Sequence, residues 1–466
     1  MSAAARPRAP DVVVRDTFDP DEFAASLWER RVVRFRAGAV PAFTDGEVFA
    51  AALAAARVQE RRSYPPEARP PVQFTRGRLQ QLALGPWAPR RADRSIAGYE
   101  SRMRRSLGAE KYALVVADLH AHSFSLWARE QAFLAELWRR LGLPISGAIT
   151  TLFHGNYEHT PVGVHRDRFG TFLCLLRGHK RMRFWADKPW TEPVSSKLDY
   201  RAHLRTSFAV ELAPGEALYW PSRYYHVGES VDAHPATSVN VGIPVAQHHT
   251  SYYLDDLALG AVDEHDLPEQ ARAATRLRAR AASPLVQRAL AQAVLPARLP
   301  PPLTEAIAAY ASLGEPAAAR RHLRATWLRR VSATGLEPAP AAAPPRPLPP
   351  TARVRRDPRF ALYWTRAGER GSPLLCCGNG HVVELADSPA SVALLRLLAG
   401  PKGLEEHQVR ALLRRFPLAR GPRAAPRPDD APLPATSAGA RALLETLLSF
   451  RVLRRSASRR SPRSRP

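Results

Sequence analysis

The sequence predicts a mainly β domain, an antiparallel sandwich or barrel, followed by a helical segment and a small winged-helix-like α+β domain. Three observations predict it. Four short β-type runs, AITTLF, TFLCLL, KRMRFW and EALYW, lie between residues 148 and 220 and are punctuated by Gly or Pro, the spacing of an antiparallel all-β fold. The texture then changes to Ala-, Arg- and Leu-rich helical segments over 251–335. A proline-rich stretch, EPAPAAAPPRPLPPTA, follows, and such a stretch is extended and semi-rigid. The expected order is therefore a barrel domain over 11–250, a helical segment over 251–335, a linker over 336–352, a winged-helix-like domain over 353–455 and a basic tail over 456–466.

The elements follow from local signals. FDPDEFAASLWERRVVRF predicts a capped helix running into a strand from Val32 to Phe35. Phe133, Leu134, Leu137 and Leu141 keep helical spacing, and Gly142 and Pro144 stop that helix. Beyond the linker, RFALYWTRAG, PLLCC and HVVEL predict strands, the last two joined by a GNG turn. Ser388 is the N-cap of a helix with Pro389 at its first position, Leu394, Leu395 and Leu398 on one face and Gly400 as its end. LEEHQVRALLRRF and ARALLETLLSF predict two more helices.

Composition bounds the function. With 466 residues and 45% hydrophobic content, the chain is long enough for at least one substantial core. Three cysteines make neither a disulfide framework nor a four-cysteine zinc site, which favours a reducing, cytoplasmic setting. No signal peptide and no membrane span are expected, because no 18-residue apolar run occurs. The formal charge of +25 invites a polyanionic partner. Only five of the 68 basic side chains are lysine, however, and seven arginines crowd into the last 16 residues, so coding bias explains the charge as well. Nucleic acid is the less favoured partner, and the Ala/Leu-rich helices are where a homodimer would form.

The stretch HTPVGVHRDRFGTFLCLLRGHKRMRFW carries the chemistry. His165 and Asp167 are two apart, so on a strand both side chains leave one face. One imidazole and one carboxylate are two of the three ligands of a 2-His-1-carboxylate iron site. His226, in PGEALYWPSRYYHVGES, is the candidate third ligand, with His159 and His234 as competitors. Lys180, 15 residues after His165, offers a compact cation for the distal carboxylate of a 2-oxo acid cosubstrate.

Together these residues resemble the core of the JmjC and cupin-like family of Fe(II)- and 2-oxoglutarate-dependent oxygenases. His165, Asp167 and His226 match that family's metal triad, the last after a G-(E/D)-x-L-Y-x-P turn, here GEALYWP. Lys180 matches the residue that holds the 2-oxoglutarate carboxylate, and Thr171 and Asn240 match polar residues beside the cosubstrate. The resemblance implies a double-stranded β-helix (jelly-roll, cupin-like) barrel and hydroxylation of a protein or peptide side chain. The order of barrel, helical segment and terminal small domain resembles the ribosomal oxygenases, which implies a ribosomal protein as one substrate. Arg166 and Arg168 beside Asp167 depart from the family pattern. Two other readings stand beside it: a cupin-type metal-binding or degenerate protein without activity, and a nucleic-acid-binding regulator working through the terminal domain and tail.

Overall fold

The computed structural model describes residues 12–36, 43–61, 70–81, 83–144, 147–231, 234–245, 316–348, 353–400, 411, 414 and 432–456. Two compact units emerge, one of residues 1–247 with 333–341 and one of 248–332 with 342–466. Most of the expected helical segment, the LEEHQVRALLRRF helix and all of the basic tail but Ser456 lie outside the described residues.

The first unit holds β1 (Val13–Arg15), α1 (Pro20–Glu22), β2 (Val33–Phe35), α2 (Asp45–Arg61), β3 (Val72–Arg76), β4 (Leu79–Gln81), α3 (Ile96–Leu107), β5 (Tyr112–Val116) and α4 (Phe124–Leu141). The strands β6 (Ile149–Gly155), β7 (Phe169–Arg177), β8 (Lys180–Trp185), β9 (Phe208–Leu212), β10 (Ala217–Trp220), β11 (Tyr225–Ser230) and β12 (Ala236–Pro244) follow. They form a nine-stranded sheet in the order β1-β2-β10-β7-β12-β6-β5-β3-β4 and a three-stranded sheet in the order β11-β8-β9. Apart from the parallel β1–β2 pair, every ladder is antiparallel. This is the double-stranded β-helix of a cupin-like barrel.

Alternation along the strands builds both faces of the large sheet. On β7 and β10, Leu173, Leu175, Leu218 and Trp220 point inward to meet Met182 and Phe184 of the small sheet. Residues of opposite parity point outward: Leu152 and Val239 join the core under α2 and α3. Asp19 caps α1 by accepting the Asp21 and Glu22 N–H groups, as the helix-start signal predicts. Phe23 and Leu27, on the π-helical turn that continues α1, are buried.

The proline-rich stretch differs from expectation at its start. Leu336 is fully buried and bridges to Ala148, and the Trp127 and Trp138 indoles donate to the carbonyls of Leu336 and Thr334. Two buried indole donors need acceptors, and this stretch of backbone supplies them; residues 333–341 therefore belong to the barrel unit.

The second unit contains α5 (Pro316–Ser332), β13 (Arg353–Arg356), β14 (Tyr363–Arg366), β15 (Leu374–Gly378), β16 (His381–Leu385), α6 (Pro389–Ala399), α7 (Ser437–Ser449) and β17 (Leu453–Ser456). β14-β15-β16 form one antiparallel sheet and β13-β17 another. Leu394, Leu395 and Leu398 of α6 pack with Leu443, Leu444 and Leu447 of α7, and Ser388 caps α6 through the Ser391 N–H. Cys376 and Cys377 are buried free thiols, consistent with inert packing.

Candidate metal centre

His165, Asp167 and His226 come together with one ligand atom each, all within 4.8 Å of one another. The Asp167 carboxylate stands between the rings, 3.5 Å from each Nε2. The expectation that His165 and Asp167 share a continuous strand is corrected here. His165 sits in an isolated bridge and Asp167 in the loop that leads into β7, because segment 163–165 is pinned between two neighbours before the chain turns off. Val164 pairs with Lys197, and His165 exchanges both backbone hydrogen bonds with His226, at 3.1 and 2.8 Å. Two ligands 61 residues apart in sequence are thus held by direct main-chain pairing.

The tautomers follow from the partners. His165 Nδ1 lies 3.0 Å from the Gly163 carbonyl and His226 Nδ1 3.3 Å from the Tyr224 carbonyl. A carbonyl only accepts, so each Nδ1 carries the proton and each Nε2 keeps its lone pair. Gly163 can supply its carbonyl there because its φ is +74° and a Cβ would stand 2.4 Å from the Lys197 oxygen. Burial, reinforced by the neighbouring His165, holds the His226 imidazole down to about 4, so it is neutral and ready to ligate at neutral pH. The turn before His226 is tied from outside: Glu29 accepts from the Tyr219 hydroxyl and from the Ser222 N–H and hydroxyl.

His159 and His234, the competing ligands, stay out of the cluster. His159 Nδ1 lies against the Thr160 carbonyl, and His234 is exposed.

Lys180 opens β8 and is 2% exposed. Its ammonium donates to Ser238 Oγ at 2.7 Å and lies over the rings of Phe153 and Tyr157. No carboxylate among the described residues pairs with it, and burial brings its pKa down to about 7. Gly228 makes room: a Cβ there would come within 2.9 Å of Lys180 Cε. Thr171 and Asn240 are inward residues of β7 and β12, and Thr171 Oγ1 and Asn240 Oδ1 are buried without partners. The Tyr157 hydroxyl and Thr160 Oγ1 share that condition. Tyr157 is buried beside Lys180. Ser238, Thr160 and Trp220 were not expected; the S-V-N-V alternation on β12, which puts Ser238 on the face of Asn240, is the signal that reveals the first.

This arrangement fits the implied iron and 2-oxoglutarate on its own terms. The donor set is the two imidazoles and one carboxylate of a facial triad, with open positions left for other ligands. The buried cation lacks an anion, and the orphaned polar atoms lack hydrogen-bond partners; a buried group of either kind is costly unless a ligand completes it.

The JmjC domain model matches residues 126–250, which run from α4 through β12 and include the triad. A search of curated proteins finds no match. Among solved structures, the Escherichia coli ribosomal oxygenase YcfD is 17% identical, with 95% of this chain and 99% of that chain covered and a TM-score of 0.42. Its complex with cobalt and 2-oxoglutarate matches at 16% identity, the same coverage and a TM-score of 0.42. The facing sheets and the three converging side chains, His165, Asp167 and His226, thus lie in the segment, residues 126–250, that matches the JmjC domain model.

Proposed function

We propose that the protein is an Fe(II)- and 2-oxoglutarate-dependent oxygenase that hydroxylates a protein or peptide side chain. The observation that carries the reading is the convergence of His165 Nε2, Asp167 and His226 Nε2 in the same barrel as a buried lysine without an acidic partner. Bound iron and 2-oxoglutarate supply dioxygen activation, in which 2-oxoglutarate becomes succinate and carbon dioxide and one oxygen atom enters a substrate C–H bond.

The chain's own residues place and protect that chemistry. His165, Asp167 and His226 hold the metal, with both Nδ1 protons tied to backbone carbonyls so that the rings cannot turn. Lys180 pairs with the distal carboxylate, and that pairing restores full charge to its ammonium. Thr171 turns its unpaired hydroxyl to the cosubstrate, and Asn240 donates to it through its side-chain amide N–H. Phe184, Trp220 and Leu173 keep water from the barrel interior, which strengthens each polar contact. Asp167 and His165 keep 36% and 22% of their side-chain surface exposed, against 6% for His226, so substrate approaches from their side. A ribosomal protein is the first substrate to test, from the resemblance in domain order.

The test is purified protein with Fe(II) and labelled 2-oxoglutarate. Succinate above background that vanishes in His165→Ala is expected; equal turnover in the variant would sink the reading. Mass spectrometry of proteins from cells with and without the gene would then locate the gain of one oxygen.

A further inference from the structure

Trp220 is the last residue of β10 and is 1% exposed. Its ring reaches across the barrel to lie 5.6 Å from Phe184 and 5.0 Å from the candidate ligand His226, centroid to centroid. Its indole N–H has no acceptor. Four other buried indoles are treated differently: Trp127, Trp138, Trp185 and Trp190 each donate to a backbone carbonyl, at 2.8 to 3.1 Å.

An indole N–H can only donate, and burying it unpaired is unfavourable. Phenylalanine would supply an aromatic side chain there without that cost. The residue directly opposite Trp220 in the β10–β7 ladder is Thr171, whose hydroxyl is also buried and unpartnered. Thr171 in turn faces Gly242 of β12, four residues beyond the Ser238 that holds Lys180. Trp220 and Thr171 therefore form a pair of unused polar groups at the metal end of the inner wall, with Lys180 at the other end.

We propose that the Trp220 indole N–H, together with the Thr171 hydroxyl, binds the 2-oxo-acid end of the cosubstrate beside His226. The inference rests on the proposed function and adds a residue to it. Carboxylate and 2-oxo oxygens are acceptors, and an acceptor arriving at this end satisfies a donor that the protein itself leaves unpaired. Lys180 takes the far carboxylate, so the two ends of the dicarboxylate are read by donors of different chemistry.

The test uses the full chain loaded with Mn(II), which binds without turnover, titrated with 2-oxoglutarate by calorimetry. Trp220→Phe keeps an aromatic ring and removes the N–H. We expect its Kd for 2-oxoglutarate to rise at least about tenfold, with Mn(II) affinity unchanged. An unchanged Kd overturns the proposal and leaves the proposed function standing. A wild-type chain that binds Mn(II) but no 2-oxoglutarate overturns both. Should Trp220→Phe not fold, 15N-indole NMR of the Zn(II)-loaded wild type decides. The indole N–H with cross-peaks to Thr171 is expected to move on adding 2-oxoglutarate, and its failure to move overturns the proposal.

Discussion

The two faces of β6, β7 and β12 treat polar side chains in opposite ways. On the outer face, His154 is held between the Tyr112 and Thr237 hydroxyls, and Thr150 donates to the buried Glu130. On the inner face, a few ångströms through the same backbone, Thr171 and Asn240 carry unpaired polar atoms and Lys180, reaching in from β8, has a hydroxyl but no anion. Strands that satisfy polar groups on one side are able to do so on the other. On the proposed reading the inner face is incomplete because its partners are ligands, whereas on the outer face Thr150, His154 and Thr237 find partners in the protein and Glu130 Oε1 is the one atom of this group left over.

That contrast yields predictions of graded size. The largest effect is expected at the triad: His226→Ala or Asp167→Ala should weaken metal binding by more than about 100-fold, read by equilibrium dialysis, with little change in the circular dichroism spectrum. A second, inner-face substitution separates ligand binding from folding. Lys180→Met should weaken 2-oxoglutarate by roughly 30-fold or more while raising the melting temperature of the ligand-free protein, because a buried ammonium without an anion opposes folding. The sign follows from linkage. Its folded pKa of about 7 lies below the ordinary 10.5, so stability is lost as pH falls from about 10.5 towards 7, and the variant should remove that slope.

The outer face should behave in the reverse manner. Burial raises the Glu130 carboxyl to about 8 from 4.5, so the native state holds a proton that the unfolded chain has released. Stability is therefore lost as pH rises from about 4.5 to about 8. Glu130→Gln should flatten that dependence in thermal melts and leave 2-oxoglutarate affinity alone; a change in affinity would break the division between the faces. The smallest effect is expected at Glu29, which ties the turn before His226. Glu29→Gln should cost about 1 kcal/mol of stability, seen as a modest shift in a denaturant midpoint with the metal still bound.

Legibility in the sequence divides along the same physical line. The strands around Phe153, Leu173, Phe184 and Leu218, the end of α4 and the capped helix α6 follow from periodicity and Gly/Pro punctuation, which are local properties. H-x-D with a distant histidine brings in the triad, and the scarcity of lysine points to Lys180. Two features of the site are not local. The bridge between His165 and His226 replaces the continuous strand that the tripeptide suggests, and the orphaned indole of Trp220 becomes visible only when four other tryptophans are found with acceptors. Helices α2 and α3 are less legible: the buried face of α2 is mostly alanine, Ala51, Ala52, Ala55 and Ala56, and such small side chains give only a weak apolar period. Glu130 and Thr150 are 20 residues apart, and neither announces the other.

The most direct measurement is absorption spectroscopy of the wild-type chain with Fe(II) and 2-oxoglutarate under anaerobic conditions. A triad that would hold iron with positions open for the 2-oxo acid predicts a visible charge-transfer band that requires both components and is absent in His165→Ala. No band at saturating iron and 2-oxoglutarate, or an equal band in His165→Ala, would contradict the account.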